Sequence, residues 1–346
     1  MSLERRPIIL SYGEMVPTAR NIFDRLSRQD QRFMFLEMER TPFANGERKL
    51  RVPETIRHHD IYLCTSLFYP DPNTALIELM LAIDAISRAS AHAITLVLPF
   101  IPYTRQDRKE EPRVPISASV VVNMLQMNRA VRHVITMDMH SEQLQGVFEI
   151  PVDNLYGAEV HAPYFQSLYP KNPCDQLVAV SPDVGGGPRT RNFAKKIHPD
   201  LEVGMFDKRR TGPNRVEHYR YIGDESRVKD SVAILYDDMI DTAGSIVSAG
   251  KRLFDMGARE VCACTTFGIF SQKGTTAEEK LRDSGIKVVI MGAIPRAQEY
   301  YEKNAGWLSV IPIDELFAEA ILEAVTVGGS ISGIATRKKG GSRESR

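Results

Sequence analysis

Between residues 232 and 245 the chain reads Val-Ala-Ile-Leu-Tyr-Asp-Asp-Met-Ile-Asp-Thr-Ala-Gly-Ser: an apolar run into two adjacent carboxylates, a turn of small residues, then a helical pattern. That order suits a phosphorylated sugar. In Asp241-Thr242-Ala243-Gly244-Ser245 the backbone N–H groups can turn toward an anion at the start of the following helix, with the Thr242 and Ser245 hydroxyls as further donors. Asp237 and Asp238 then stand at the carboxyl end of a strand, where open α/β sheets hold their ligands. Carboxylates there can accept hydrogen bonds from sugar hydroxyls or hold Mg2+ through water. Helix capping by Asp241 or Thr242 would explain one residue, not the constellation.

Other segments carry complementary chemistry. Arg105 and Gln106, in a loop leaving the apolar run that ends at Leu98, offer a planar cationic donor for a polyphosphate and an amide for a base. Phe43 with Asn45 and Glu47 would supply a stacking face and polar partners for a base and its sugar, although Phe43 alone would read as core. His140 follows the run Val134 to Asp138, where a neutral imidazole could take a divalent ion or hydrogen-bond a phosphate oxygen. Lys208, Arg209 and Arg210 follow the run Val203 to Phe206 and lead into Thr211-Gly212-Pro213. Their plausible task is charge stabilisation; by themselves, three basic residues are a solvated face.

The 232–245 segment resembles the 5-phosphoribosyl-1-pyrophosphate motif of type I phosphoribosyltransferases. Pro102 to Lys109 with Arg113 to Ser117 is similar to segments of the ribose-phosphate pyrophosphokinases, or phosphoribosyl pyrophosphate synthetases. So are Phe43 to Glu47, Asp138-Met139-His140, Gln143 to Gly146 with Ile150 to Asn154, Ser181 to Gly186, and Asp207 to Arg210. The resemblance spans residues 8 to 325. It implies transfer of the β,γ-diphosphoryl group of ATP to O1 of ribose 5-phosphate, giving 5-phosphoribosyl-1-pyrophosphate and AMP with Mg2+. It assigns Phe43, Asn45, Glu47, Arg105, Gln106 and His140 to ATP, and Asp237, Asp238, Asp241, Thr242, Ala243, Gly244 and Ser245 to ribose 5-phosphate. Lys208 becomes the catalytic lysine with Arg210 beside the transferring phosphates, and metal ligands fall at His140, Asp183 and Asp138.

The resemblance further implies dimers stacked into larger rings, often hexamers, with phosphate and ADP as effectors. Val327 to Ser332, leading into a basic tail, and Gly185 to Arg191 depart from the family pattern, which leaves effector sensitivity open. A phosphoribosyltransferase would account for the 232–245 motif but not for Arg105 to Lys109, His140 or a second α/β half. A non-catalytic regulatory subunit would be expected to lose the lysine loop, and Lys208 is present.

Positioning these residues requires strand ends. Short β-branched runs alternate with segments of helical period, which argues for parallel sheets covered by helices. Strands are predicted at Ile8 to Tyr12, Ile61 to Ser66, Ile94 to Leu98, Val134 to Asp138, Leu177 to Ser181, Val203 to Phe206, Val232 to Tyr236, Val261 to Thr266 and Val288 to Met291. Helices are predicted at Thr18 to Arg28, Thr74 to Ala89, Ala118 to Gln126, Ser245 to Met256 and Glu315 to Ala324. Arg48 to Val52 and Val216 to Ile222 read as antiparallel hairpin partners. The expected fold is α/β, with two tandem phosphoribosyltransferase-like domains, each a mostly parallel sheet flanked by helices. The first covers 1–152, the second 153–330, and 331–346 is a disordered basic tail.

Composition narrows the partners. Forty-four Lys and Arg against 44 Asp and Glu give no net charge, so the global excess that drives nucleic-acid or anionic-membrane binding is missing and anion recognition must be local. No stretch reaches the roughly 18 to 20 apolar residues of a membrane span. Cys64, Cys174, Cys262 and Cys264 form no CxxC pair, as expected for a reduced, cytoplasmic protein.

Overall fold

The computed structural model describes residues 5–209, 218–272 and 275–331. The chain divides into two compact units: one runs to Leu155 and resumes at Ile313, the other spans Tyr156–Pro312.

In the first unit, in chain order, β1 (Pro7–Ser11), α1 (Val16–Ser27), β2 (Met34–Glu37), β3 (Glu39–Pro42), β4 (Arg48–Arg51), β5 (Asp60–Cys64), α2 (Pro72–Arg88), β6 (Ala93–Leu98), α3 (Ser117–Gln126), β7 (Val131–Met137) and β8 (Val152–Leu155) follow one another. Six strands pair in the order β2-β1-β5-β6-β7-β8, all parallel. Every residue of β1 is buried, as expected of a strand covered on both faces. The helix α2 starts cleanly because the Asp71 carboxylate accepts from the backbone N–H groups of Asn73 and Thr74, with Pro72 in the first turn. The β3–β4 hairpin stands apart as a two-stranded antiparallel sheet, as the sequence predicts for Arg48 to Val52.

The second unit contains α4 (Ala158–Leu168), α5 (Pro173–Gln176), β9 (Leu177–Ser181), α6 (Gly187–Ile197), β10 (Val203–Arg209), β11 (His218–Ile222), β12 (Val232–Ile240), α7 (Gly244–Asp255), β13 (Glu260–Gly268), α8 (Ala277–Asp283), β14 (Lys287–Met291), α9 (Gln298–Asn304) and β15 (Leu308–Ile311). Its sheet has the order β11-β10-β9-β12-β13-β14-β15, parallel except for the β10–β11 hairpin. Chain order reverses between β9 and β12, so their carboxyl ends flank the switch-point crevice typical of ligand sites in such sheets. One core lies under α7 and α8, built on Leu235, Ile246, Leu253 and Leu281. Another lies under α4 and α6, built on Phe165, Phe193, Tyr236 and Cys264.

The last helix, α10 (Asp314–Val325), belongs with the first unit, where Asp314 pairs with Arg25 of α1 and Glu315 lies 3.6 Å from the same guanidinium. The sequence-based division at 152/153 therefore differs from the compact units at both ends. Val152–Leu155 is a strand that pairs with Val134–Met137, and its half-polar Val-Asp-Asn-Leu pattern carries little strand signal. Arg210 and all of the expected tail except Ile331 lie outside the described residues. Among the described residues, no helix is long and apolar enough to cross a membrane. None of the four cysteines is joined in a disulfide.

Candidate active site

The strand β12 does not stop at Tyr236 but continues through both carboxylates to Ile240, with Asp237 opposite Thr265 and Met239 opposite Phe267. The turn beyond it is tied down through its carbonyls. Ile240 O accepts from the N–H groups of Ile269 and Phe270 at 2.9 and 3.1 Å, and Asp241 O from Ser271 at 3.2 Å. Lys280 Nζ donates to Thr242 O at 3.3 Å. Ala243 then takes a left-handed conformation, φ 61°, and caps α7 without a side-chain acceptor. A non-glycine residue held there costs about 1–2 kcal/mol, strain of the kind found at functional turns. Thr242, Gly244 and Ser245 are exposed around it, and the start of a helix is where backbone N–H groups can meet an anion.

Beside the turn, Asp238 is 2% exposed and its backbone N–H donates to Asp237 Oδ1 at 2.8 Å. Burial, and then the neighbouring Asp238 charge, push the Asp237 carboxyl well above the usual carboxylate range. Arg189, in the first turn of α6, opposes this. Its Nη1 lies 3.6 Å from Asp237 Oδ1 and 3.4 Å from Asp238 Oδ1. Arg189 is not among the residues expected at the site; its one signal in the sequence is its place in the first turn of the helix that follows Ser181-Pro182-Asp183-Val184-Gly185-Gly186.

Asp183 is exposed past the end of β9 and accepts from Gly186 N–H at 2.8 Å. A side chain at Gly186 would place its Cβ 2.6 Å from Ser181 Oγ, 3.6 Å from Asp183 Oδ1 and 4.0 Å from Asp237 Oδ1. Glycine is thus required where Ser181 Oγ comes close to the main chain, and that oxygen is buried with no hydrogen-bond partner. Beneath it, the Tyr236 ring stacks on Phe193 at 4.0 Å, its carbonyl accepts from Thr190 Oγ1 at 3.3 Å, and its hydroxyl lies 3.2 Å from His161 Nδ1. Burial lowers His161 to about 3, so this imidazole is neutral.

In the first unit, Phe43 is 49% exposed at the tip of the β3–β4 hairpin. Phe43 N–H donates to Glu47 O at 2.8 Å, Gly46 N–H to Phe43 O at 3.0 Å, and Glu47 N–H to Asn45 Oδ1 at 3.2 Å. Arg105 and Gln106 are exposed in the loop after β6. The Ser117 hydroxyl donates to Gln106 Oε1 at 2.6 Å, so the amide nitrogen is the end this glutamine can offer a ligand. Asp138 is 6% exposed with φ 36°, and its N–H donates to Leu155 O at 2.8 Å. That sharp bend at the end of β7 leaves His140 exposed.

Lys208 lies near the end of β10, its backbone paired with Tyr219. Among the described residues, no group of three or more His, Cys, Asp or Glu side chains is placed to hold a metal ion.

A family model described as the N-terminal domain of ribose phosphate pyrophosphokinase matches residues 8–128, and one described as a phosphoribosyl synthetase-associated domain matches 187–333. The ribose-phosphate pyrophosphokinase of Clostridium acetobutylicum is 44% identical over 280 residues, covering 81% of this chain and 83% of that protein. This chain belongs to the ribose-phosphate pyrophosphokinase family.

The ribose-phosphate pyrophosphokinase of Aquifex aeolicus is 40% identical over 298 residues, 86% of this chain and 90% of its own. The crystal structure of phosphoribosylpyrophosphate synthetase from Mycobacterium smegmatis superposes with a TM-score of 0.81 at 30% identity, covering 92% of this chain and 99% of that one. The segments that resemble the family divide between the two matched stretches: Phe43 to Gln106 fall in the first, and Lys208 and the 237–245 group in the second, which also contains Arg189. Asp138, His140 and Asp183 lie between them.

Proposed function

We propose that this chain joins the anomeric hydroxyl of ribose 5-phosphate to the β-phosphorus of ATP, with AMP as the leaving group. The observation that carries the reading is the switch-point crevice of the second unit, where Asp237 and Asp238 stand beside a helix start whose cap residue, Ala243, has no side-chain acceptor. The 241–245 turn binds the 5-phosphate, and the two carboxylates accept from the ribose hydroxyls. Phe43, Asn45, Glu47, Arg105 and Gln106 hold ATP, while Lys208 and Arg210 balance charge on the transferred group. Such chemistry needs positioning and charge neutralisation more than a covalent nucleophile.

The ion we assign is Mg2+. It usually takes one or two carboxylates, several waters and substrate phosphates. The exposed Asp183 carboxylate beside the partnerless Ser181 Oγ supports a hard cation. On the second unit we assign Asp183 to hold it and, as a separate candidate on the first unit, Asp138 with His140; when bound it would neutralise charge on the phosphates. Assembly into dimer-based rings and control by phosphate or ADP belong to the same proposal. The exposed Ile77, Leu81, Val120 and Met127 are apolar surface that such assembly would cover.

Incubation with ribose 5-phosphate, ATP and Mg2+, followed by separation of nucleotides and sugar phosphates, tests the reaction. AMP equal in amount to phosphoribosyl pyrophosphate is the expected outcome. ADP with a ribose bisphosphate would place the attack on the γ-phosphorus, and no product from folded protein that binds ATP would make the chain a regulatory subunit.

A further inference from the structure

A carboxylate is buried inside the first unit with no place in the reaction. Glu78 lies on α2 among the buried residues Ala75, Leu76, Leu79 and Ala82, with its side chain 2% exposed. A charge so placed costs several kcal/mol unless it is paired. Two arginines reach it, both from the β3–β4 hairpin. Arg48 Nε lies 3.1 Å from Glu78 Oε1 and Arg40 Nη1 3.5 Å from Oε2, while the other side of the Arg40 guanidinium is held by Glu14 Oε1 at 3.2 Å. Gly13, at φ +64°, makes room for Arg40, whose Nη1 would lie 2.8 Å from a Cβ there.

The hairpin has few other anchors. Its register pairs Arg40 with Leu50 and Pro42 with Arg48, and of these strand residues only Arg40, Arg48 and Leu50 are half-buried. Leu50 and the following Val52 pack on the core. Arg48 has a second contact: Nη1 reaches the carbonyl of Gly46 at 3.5 Å. Gly46 belongs to the same tip as Phe43, Asn45 and Glu47. One planar guanidinium therefore spans from a carboxylate fixed in the core to the backbone of the exposed tip, a two-point grip that a lysine cannot reproduce.

We propose that Glu78 and Arg48 are positioning residues for the nucleotide, fixing the 43–47 tip from inside the first unit without touching the base. The inference rests on the reading of that tip as the adenine site. It accounts for a buried charge that the fold would otherwise do better without, since an apolar residue of similar volume is often neutral or stabilising at such a position.

The test uses the full chain carrying Arg48→Met, Arg48→Lys, Glu78→Gln or Phe43→Ala. Titration calorimetry with α,β-methylene-ATP, KM for ATP and for ribose 5-phosphate, and thermal unfolding are measured for each. Arg48→Met and Glu78→Gln are expected to weaken binding of the analogue about tenfold, with KM for ribose 5-phosphate held within about twofold. Arg48→Lys keeps the charge facing Glu78, and with it the melting temperature, yet loses affinity; a merely structural role would spare both. Unchanged affinity in Arg48→Met alongside weakened affinity in Phe43→Ala would overturn the clamp and leave the adenine site standing. Unchanged affinity in Phe43→Ala would overturn the adenine reading and the clamp with it. Equal loss toward both substrates, with a lowered melting temperature, would reduce Glu78 and Arg48 to scaffold and overturn the proposal.

Discussion

The backbone N–H of Asp238 donates to Oδ1 of Asp237 at 2.8 Å, so one carboxylate is pinned against the main chain of the next residue, which carries its own buried carboxylate. Two acids held this close and away from water repel, and the fold bears that repulsion at the end of β12.

Asp237→Asn should therefore stabilise the protein while abolishing capture of ribose 5-phosphate. Because the folded-state carboxyl is raised, mainly by burial, its stabilising contribution is full below the unfolded value near 4 and is lost as pH rises through the folded value. The Asn variant has no such loss. Calorimetric melting should match wild type at pH 4 and exceed it by a few degrees at pH 8.

Removal of Arg189 should likewise weaken capture of ribose 5-phosphate. Arg189→Met leaves the two carboxylates without the cation 3.4–3.6 Å away, and KM for ribose 5-phosphate is expected to rise about tenfold or more. Arg189→Lys restores charge without the planar fork and should recover part of the loss. Initial rates at varied ribose 5-phosphate, with calorimetric binding of an ATP analogue as the unaffected control, check this.

Lys208→Ala should lower turnover by at least about two orders of magnitude, the usual scale for losing one preorganised charge donor. The backbone pairing of residue 208 with Tyr219 does not depend on the side chain, so the melting temperature should stay that of wild type. Single-turnover rates with labelled ATP measure the effect apart from product release.

His161 predicts the acid limb of stability. Its folded value near 3 lies below the unfolded value near 6.5, so its contribution is full above pH 6.5 and falls by about 1.4 kcal/mol per pH unit as pH drops toward 3. His161→Phe should flatten urea-unfolding free energy between pH 6 and 4. At pH 7 it should cost about 1 kcal/mol through the lost contact with the Tyr236 hydroxyl.

Several of these residues were legible in the sequence. Continuous apolar runs such as Leu177 to Ser181 mark parallel strands because both faces of the strand are covered, and that reading matches β9 residue for residue. The 237–245 group was legible because strand, carboxylates, small-residue turn and helix are contiguous. Its site is one local piece of backbone. Arg189 was not, because the argument for it requires knowing that β9 and β12 are neighbours, which brings the first turn of α6 against Asp237 and Asp238. Glu78 reads as a polar interruption in an apolar helix until the hairpin is seen folded over it.

The α/β class, the family resemblance and the contiguous carboxylate turn at 237–245 were all readable from the chain, since each depends on residue types at short spacing. Only the tertiary structure decided that β12 carries both carboxylates inside the sheet, that Val152–Leu155 closes the first sheet, and that Asp314 returns α10 to Arg25. The physical reason is the same in each case. An apolar helix face or a short half-polar strand fits many partners, and the one it takes is selected by distant surfaces and charges that local periodicity does not encode.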